Sequence, residues 1–331
     1  MSSGGNQPEG NLALAQEWLL RTRDWLVGPG QVHARNVGAR VGRALYRMVR
    51  GYAVADVDYR DRISVACWMV VLGLSAGLIF ELPQATFTFN AFGSPATVEL
   101  TGTLWTALFL AVLAGAGAES VVAVHPVFVE GRHQRGVRTW SFWALPMALA
   151  LLAALLLPSA PSALVQVLII VVSGMLMALA FFALYATVER GRPGFRRSRL
   201  ILDAMAYGSA LLLFLFVYQA RTRSLLSSSL IALTAMLLAI EILRTATPRS
   251  STALIYGAIV GLIMGQVTWA LNYWVLPGLT GSLMLLLVFY LLVGIAQQGL
   301  LERLTGRVLV EFVVFAAVAL LLIALVGPGF A

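Results

Sequence analysis

Nine stretches almost free of charge run between Ile63 and Val326, and each is long enough to cross a bilayer as a helix. They fall at about 63–80, 104–124, 140–157, 163–188, 200–219, 225–243, 252–272, 279–298 and 308–327. A helix rises 1.5 Å per residue, so a hydrocarbon core of about 30 Å calls for roughly 18 or more apolar residues. Lipid cannot satisfy an open backbone, and the alternating ten-residue pattern of a membrane barrel is absent, so these stretches predict helices. Composition excludes the soluble alternative. Apolar residues make up 60% of the chain and charged ones 11%, against about 25% charged in a soluble domain. The expected fold class is therefore all-α, a polytopic transmembrane helical bundle of about nine spans over 63–331. A separate segment, 1–62, precedes it.

Arginine placement orients this bundle. All 23 basic residues are Arg. Arg21, Arg23, Arg35, Arg40, Arg43, Arg47, Arg50, Arg60 and Arg62 precede the first span. Arg132, Arg135 and Arg138 follow the second, and Arg190, Arg192, Arg196, Arg197 and Arg199 follow the fourth. Arg244 and Arg249 follow the sixth; Arg303 and Arg307 follow the eighth. Cytoplasmic loops are enriched in Arg, so the N-terminus is expected inside a bacterial cytoplasmic membrane and the C-terminus outside. Arg221 and Arg223, after span five, are the exceptions, and a missed span would show there. The first apolar span begins behind nine arginines, a pattern unlike a cleaved signal peptide. With no Lys, Schiff-base and phosphate-loop lysines are excluded. The single cysteine, Cys67, lies inside the first span and reads as a small packing residue, so disulfides and thiolate clusters within the chain are excluded.

In the segment 1–62, residues 1–10 are small and polar. Leu12, Leu19 and Leu26 recur every seven residues beside Trp18 and Trp25, predicting a helix over 12–27 that Gly28-Pro29-Gly30 ends. A second helix is predicted over 34–52. Val37, Val41, Ala44, Leu45, Met48 and Tyr52 share one face, opposite Arg35, Arg40, Arg43, Arg47 and Arg50. A basic amphipathic helix beside a span suits anionic lipid headgroups, although the same stripe fits a partner protein or the chain's own loops. The pI of about 10.2 follows from the topology, and no aromatic-basic module for nucleic acid is visible.

The loop 82–103 alternates Thr86, Thr88 and Asn90 with Phe87 and Phe89. Gly93-Ser94-Pro95 then supplies a turn before Thr97-Val98-Glu99-Leu100. A short β-hairpin follows, either a lid over the bundle or simply a covered loop.

Polar residues within the spans are few. Asp203, Glu241 and Glu311 lie near span ends, each with an arginine in helical reach: Arg199, Arg244 and Arg307. These read as interfacial ion pairs. Glu119 has no arginine three or four residues away and continues the small-residue line Ala107, Ala111, Gly115. That line predicts contact with a neighbouring helix, so Glu119 should face protein. It is a candidate intramembrane functional group, or the partner of an arginine on another helix. Span seven carries Gly257, Gly261 and Gly265 at four-residue spacing, with Trp269 and Tyr273 continuing the line and Gln266 and Asn272 nearby. The glycines predict a close helix-packing seam, and the polar residues offer a pore- or substrate-lining strip as the alternative. Gln297 and Gln298 are expected to bond across helices.

Catalytic sets are absent from the pattern. The histidines are His33, His125 and His133. Glu130-x-x-His133 has no second carboxylate-histidine set for a di-metal site. No paired aspartates for polyprenyl substrates, HExxH, GxSxG or glycine-rich nucleotide loop occurs. No enzyme activity, metal or cofactor is expected.

Three strings, VAVHPVF after span two, QVTWALNYWVLPG after span seven's glycines, and FYLLVGIAQQGLLERLTGRVLVEF near the end, resemble a domain-of-unknown-function family of polytopic membrane proteins from green non-sulfur bacteria. The resemblance implies coverage of most of 63–327, that source and a membrane fold, and no catalytic residues. Two functions fit the residues. One is a non-catalytic accessory or scaffold subunit of a larger membrane complex, held by small-residue seams and partnered by other membrane subunits. The other is a secondary transporter or lipid-handling protein that uses Glu119, Gln266 and Asn272. Nine spans do not divide into two equal inverted halves, which weighs against transport.

Overall fold

A computed structural model describes residues 59–80, 83–91, 94–131, 139–189, 194–219, 224–247, 249–274 and 276–326. The helices expected over 12–27 and 34–52, with Arg35, Arg40, Arg43, Arg47 and Arg50, lie outside them. So does the turn carrying Arg221 and Arg223.

Among the described residues, nine helices are long and apolar enough to span a membrane. They are α1 (Tyr59–Ile79), α2 (Gly102–Val122), α4 (Ala144–Leu156, extended by a 3-10 turn at each end), α5 (Ala163–Ala186), α6 (Phe195–Gln219), α7 (Ser224–Leu243), α8 (Ser250–Asn272), α9 (Gly278–Leu300) and α10 (Gly306–Val326). A short helix α3 (Pro126–Gly131) follows α2. The protein is thus an all-α bundle of membrane-spanning helices with one small hairpin. Several helices start earlier than the charge-poor stretches. Helix α1 takes in Arg60, Asp61 and Arg62, and α6 takes in Arg196, Arg197 and Arg199. Backbone hydrogen bonding does not stop where hydrocarbon stops, and long side chains near a helix end reach back to the headgroups. Side-chain oxygens start two spans: Thr101 accepts from the Leu104 amide before α2, and Ser162 from the Val165 amide before α5, both at 3.4 Å.

Strands β1 (Ala85–Ala91) and β2 (Ser94–Leu100) pair antiparallel, Ala85 opposite Leu100 and Ala91 opposite Ser94. The hairpin therefore forms, but Ser94 and Pro95 belong to the strand and not to the turn. Pro95 stands opposite Asn90. Both strands of a two-stranded sheet are edges, where proline's missing donor is tolerated.

Alternating span direction brings two sets of helix ends together. At one end the start of α1 meets the ends of α2 and α5: Arg62 Nη1 donates to the Ser120 carbonyl at 3.4 Å, and the Tyr59 ring stacks on Tyr185 at 4.0 Å. At the other end the Tyr218 hydroxyl of α6 is 3.3 Å from the Leu271 carbonyl and 3.2 Å from that of Trp274, at the close of α8. The stretch of α6 from Arg199 to Tyr218 rises about 28 Å, close to the thickness of the hydrocarbon core.

The core centres on α4, whose residues Ala148 to Leu155 are all buried. Its Leu/Ala sequence is apolar all round, and the alanines let α2, α5, α6 and α7 close on it. At the other extreme, no residue of the spanning window of α10 is buried. That helix packs on α9, where Phe312 sits over Gly294.

Candidate functional site

Among the described residues, the densest set of charges lies where α5 and α7 end and α6 begins. Glu241 is only 1% exposed. Its carboxylate takes two hydrogen bonds from Arg244, from Nε at 2.8 Å and from Nη2 at 2.6 Å. The same Nη2 donates to Thr187 Oγ1 at 3.1 Å, and the guanidinium lies 4.3 Å from the centre of the Phe142 ring. One arginine thus joins α7 to the end of α5 and to the turn leading into α4. Beside it, Arg199 Nε donates to Asp203 Oδ2 at 2.9 Å along α6, and Nη2 donates to the Ile242 carbonyl at 2.7 Å. That carbonyl is among the last of α7, which have no partner inside their own helix.

All three ion pairs expected from spacing form. Arg307 and Glu311 meet at 3.5 Å, both exposed. The Glu241 pair has different surroundings. It is enclosed, because Thr187 and Phe142 close over it from distant parts of the chain.

Glu119 is half-buried, and among the described residues its partner is not an arginine of another helix. Trp143 Nε1 donates to Glu119 Oε2 at 2.8 Å. The line Ala107, Ala111, Gly115 is buried and carries Glu119 to this contact: a Cβ at Gly115 would lie 3.2 Å from Met147 and 3.5 Å from Trp143. His125 is fully buried beside it in sequence, its ring 4.8 Å from that of Tyr185, with Nδ1 accepting from the Val127 amide at 3.3 Å. The side chain of Glu130, and all of His133, lie outside the described residues.

The glycine seam packs α8 on α7. A Cβ at Gly257 would stand 2.6 Å from Ile240, and one at Gly261 2.6 Å from the Ala232 carbonyl oxygen. At Gly265 it would meet the Ala232 side chain at 3.1 Å. Trp269 and Tyr273 do not continue this seam. They are 54% and 75% exposed, while Thr268 and Leu271 are buried in their place. A four-residue repeat advances about 40° per step around a helix of 3.6 residues per turn, so after three glycines the line has rotated off the contact.

Gln266 is likewise exposed, and among the described residues it bonds to nothing. Asn272 Nδ2 donates to Ser227 Oγ at 3.0 Å, fastening α8 to α7. Glu119 and Asn272 are therefore engaged with different helix pairs, and by alternating span direction they lie at opposite ends of the bundle. Gln297 and Gln298 are half-exposed, and among the described residues they make no side-chain bond across helices.

Sequence reading did not identify the Arg244–Thr187–Phe142 closure or the Trp143–Glu119 bond. Thr187 lies 57 residues from Arg244 and Trp143 lies 24 residues from Glu119, so no local spacing signals either contact. Among the described residues, no group of three His, Cys, Asp or Glu could hold a metal ion.

Residues 82–326 match the sequence profile of a family described as protein of unknown function (DUF5656). The chain belongs to that family. The match leaves out α1, which the resemblance of short strings had included, and it specifies neither a bacterial source nor a membrane setting. No curated protein and no solved structure matches the chain.

Proposed function

We propose that this DUF5656 protein is a non-catalytic accessory or scaffold subunit of a membrane complex, with its N-terminus in the cytoplasm. The observation that carries this reading is how the polar groups in the spans are used. Arg244, Arg199 and Asn272 each fasten one helix to another, Glu241 holds Arg244 in place, and Glu119 ends on an indole. The residues that would serve as a transport path are divided between opposite ends of the bundle. Helix α10, apolar and uncovered along its spanning length, supplies a surface for adjoining subunits. The arginine-rich end of the bundle, with Arg62, Arg199 and Arg244, is assigned to the cytoplasm by the bias of arginine towards that side. In the same arrangement Arg35, Arg40, Arg43, Arg47 and Arg50 rest on anionic headgroups.

One observation favours a secondary transporter instead: Glu119 is a carboxylate within a span whose only partner among the described residues is neutral. A single pair of experiments decides. Purification in mild detergent should recover other membrane subunits in fixed ratio, and vesicles holding this chain alone should show no uptake driven by an ion or pH gradient. Uptake that Glu119→Gln abolishes, in a protein that stays folded, would refute the scaffold reading.

A further inference from the structure

Helix α1 leans on the bundle along one narrow line, Ile63, Ala66, Val70 and Leu74, which are its buried positions from the second turn onward. Between α1 and α5 a lateral groove of about 450 Å³ remains open. Its shape and chemistry change in order along its length. At one end stands Arg60, exposed, beside Phe182, which packs edge-on against Tyr59 at 6.2 Å. Ser64, Cys67 and Trp68 follow on the α1 wall, and Ala178 and Met175 on the α5 wall. At the far end Val71 faces Gly174, where a Cβ would come within 2.9 Å of the valine methyl. Beyond Arg60 the lining is almost wholly apolar.

The length of the groove identifies its occupant. From Arg60 to Val71 the α1 wall rises about 16 Å, close to the roughly 15 Å of hydrocarbon in one leaflet of a 30 Å core. The arginine sits at the start of a spanning helix and hence at headgroup depth. Arg60 already engages a partner, and a guanidinium with five donors in a fork can serve a phosphate oxygen besides. A slot one leaflet deep, apolar throughout and headed by a cation, complements a lipid with an anionic head and an extended tail. We propose that the α1–α5 groove is a binding site for one anionic phospholipid, its phosphate on Arg60 and an acyl chain running between Trp68 and Met175 to Gly174. This site does not depend on the scaffold reading, only on the bundle's place in a bilayer.

Cys67 lines the groove and is the only cysteine of the chain, so it reports occupancy. The full chain in a neutral detergent is treated with an apolar maleimide while phosphatidylglycerol or phosphatidylcholine is added. Phosphatidylglycerol should protect Cys67 at roughly fivefold lower concentration than phosphatidylcholine, the preference one arginine confers at a membrane surface. Arg60→Gln should bring the two lipids level, and glycerol phosphate alone should protect nothing. Ser64→Phe, at an exposed position on the α1 wall, should fill the slot and abolish the phosphatidylglycerol retained by the protein in native mass spectrometry, with the helix content unchanged. Equal protection by both lipids, a preference that survives Arg60→Gln, or protection by glycerol phosphate would overturn the proposal. So would a co-purifying protein that shields Cys67 in lipid-free detergent, since a partner helix would then fill the groove.

Discussion

Removing Arg244 should damage this fold more than removing both members of its ion pair. The pair is enclosed: the side chains of Arg244 and Glu241 are 5% and 1% exposed. In Arg244→Met, Glu241 loses both of its charge-assisted hydrogen bonds and no water reaches it. Stranding one member of a buried pair costs about 3–5 kcal/mol. The contact with Phe142 changes less, because a cation–π interaction of about 0.5–2 kcal/mol gives way to a sulfur–aromatic contact of about 0.3–1.5 kcal/mol. Thr187 is not stranded, since its hydroxyl also donates to the Leu184 carbonyl at 2.9 Å. In the double variant Glu241→Met/Arg244→Met both charges go, and apolar replacement of a buried pair is often neutral or favourable by about 1–4 kcal/mol. Stability is read from unfolding by sodium dodecyl sulfate in mixed micelles, followed by circular dichroism, for wild type, both single variants and the double variant. The coupling between the two sites should exceed about 2 kcal/mol, inside the range seen for residues in one network. A single Arg244→Met variant within about 1 kcal/mol of wild type, or a double variant no better than that single, would show that the pair is hydrated and the argument wrong.

Two further outcomes test the packing and the orientation. Gly261→Ala should destabilise by about 1–3 kcal/mol, because its Cβ meets the Ala232 carbonyl at 2.6 Å. Gly208→Ala, with nothing within 4 Å, should stabilise α6 by about 0.5–1 kcal/mol; equal effects in the same unfolding assay would deny the seam. In a Cys67→Ala background, Tyr273→Cys should react with an impermeant maleimide in sealed cells and Arg196→Cys should not. Labelling at 196 would reverse the assigned orientation.

What could be read from sequence was whatever depends on near neighbours in the chain. The spans follow from stretches without charge, the pairs Arg199–Asp203 and Glu241–Arg244 from three- and four-residue spacing, and the contact of α8 from glycines at 257, 261 and 265. What could not be read depends on which helix comes third. Glu241 and Glu311 have the same local signature, an arginine within one turn, yet one is enclosed and the other exposed. The difference is made by Thr187 and Phe142, which no periodicity links to residue 241.

Hydropathy misleads in the same way. Helix α10 is the most hydropathic of the nine and has no buried residue in its spanning window, whereas α4 is less hydropathic and the most enclosed. In water that order would be perverse. In a bilayer it is reasonable, because lipid tails are as apolar as leucine and burial inside protein gains nothing from hydrophobicity alone. Close packing is what selects the inner helices, and it needs small side chains: alanines along α4, and glycines where α8 meets α7. The bulky Leu, Val and Phe of α10 are the composition of a surface that meets chains of variable shape. The interior of such a protein is therefore to be sought in its small residues, and its contacts with lipid or with other subunits in its most hydrophobic ones.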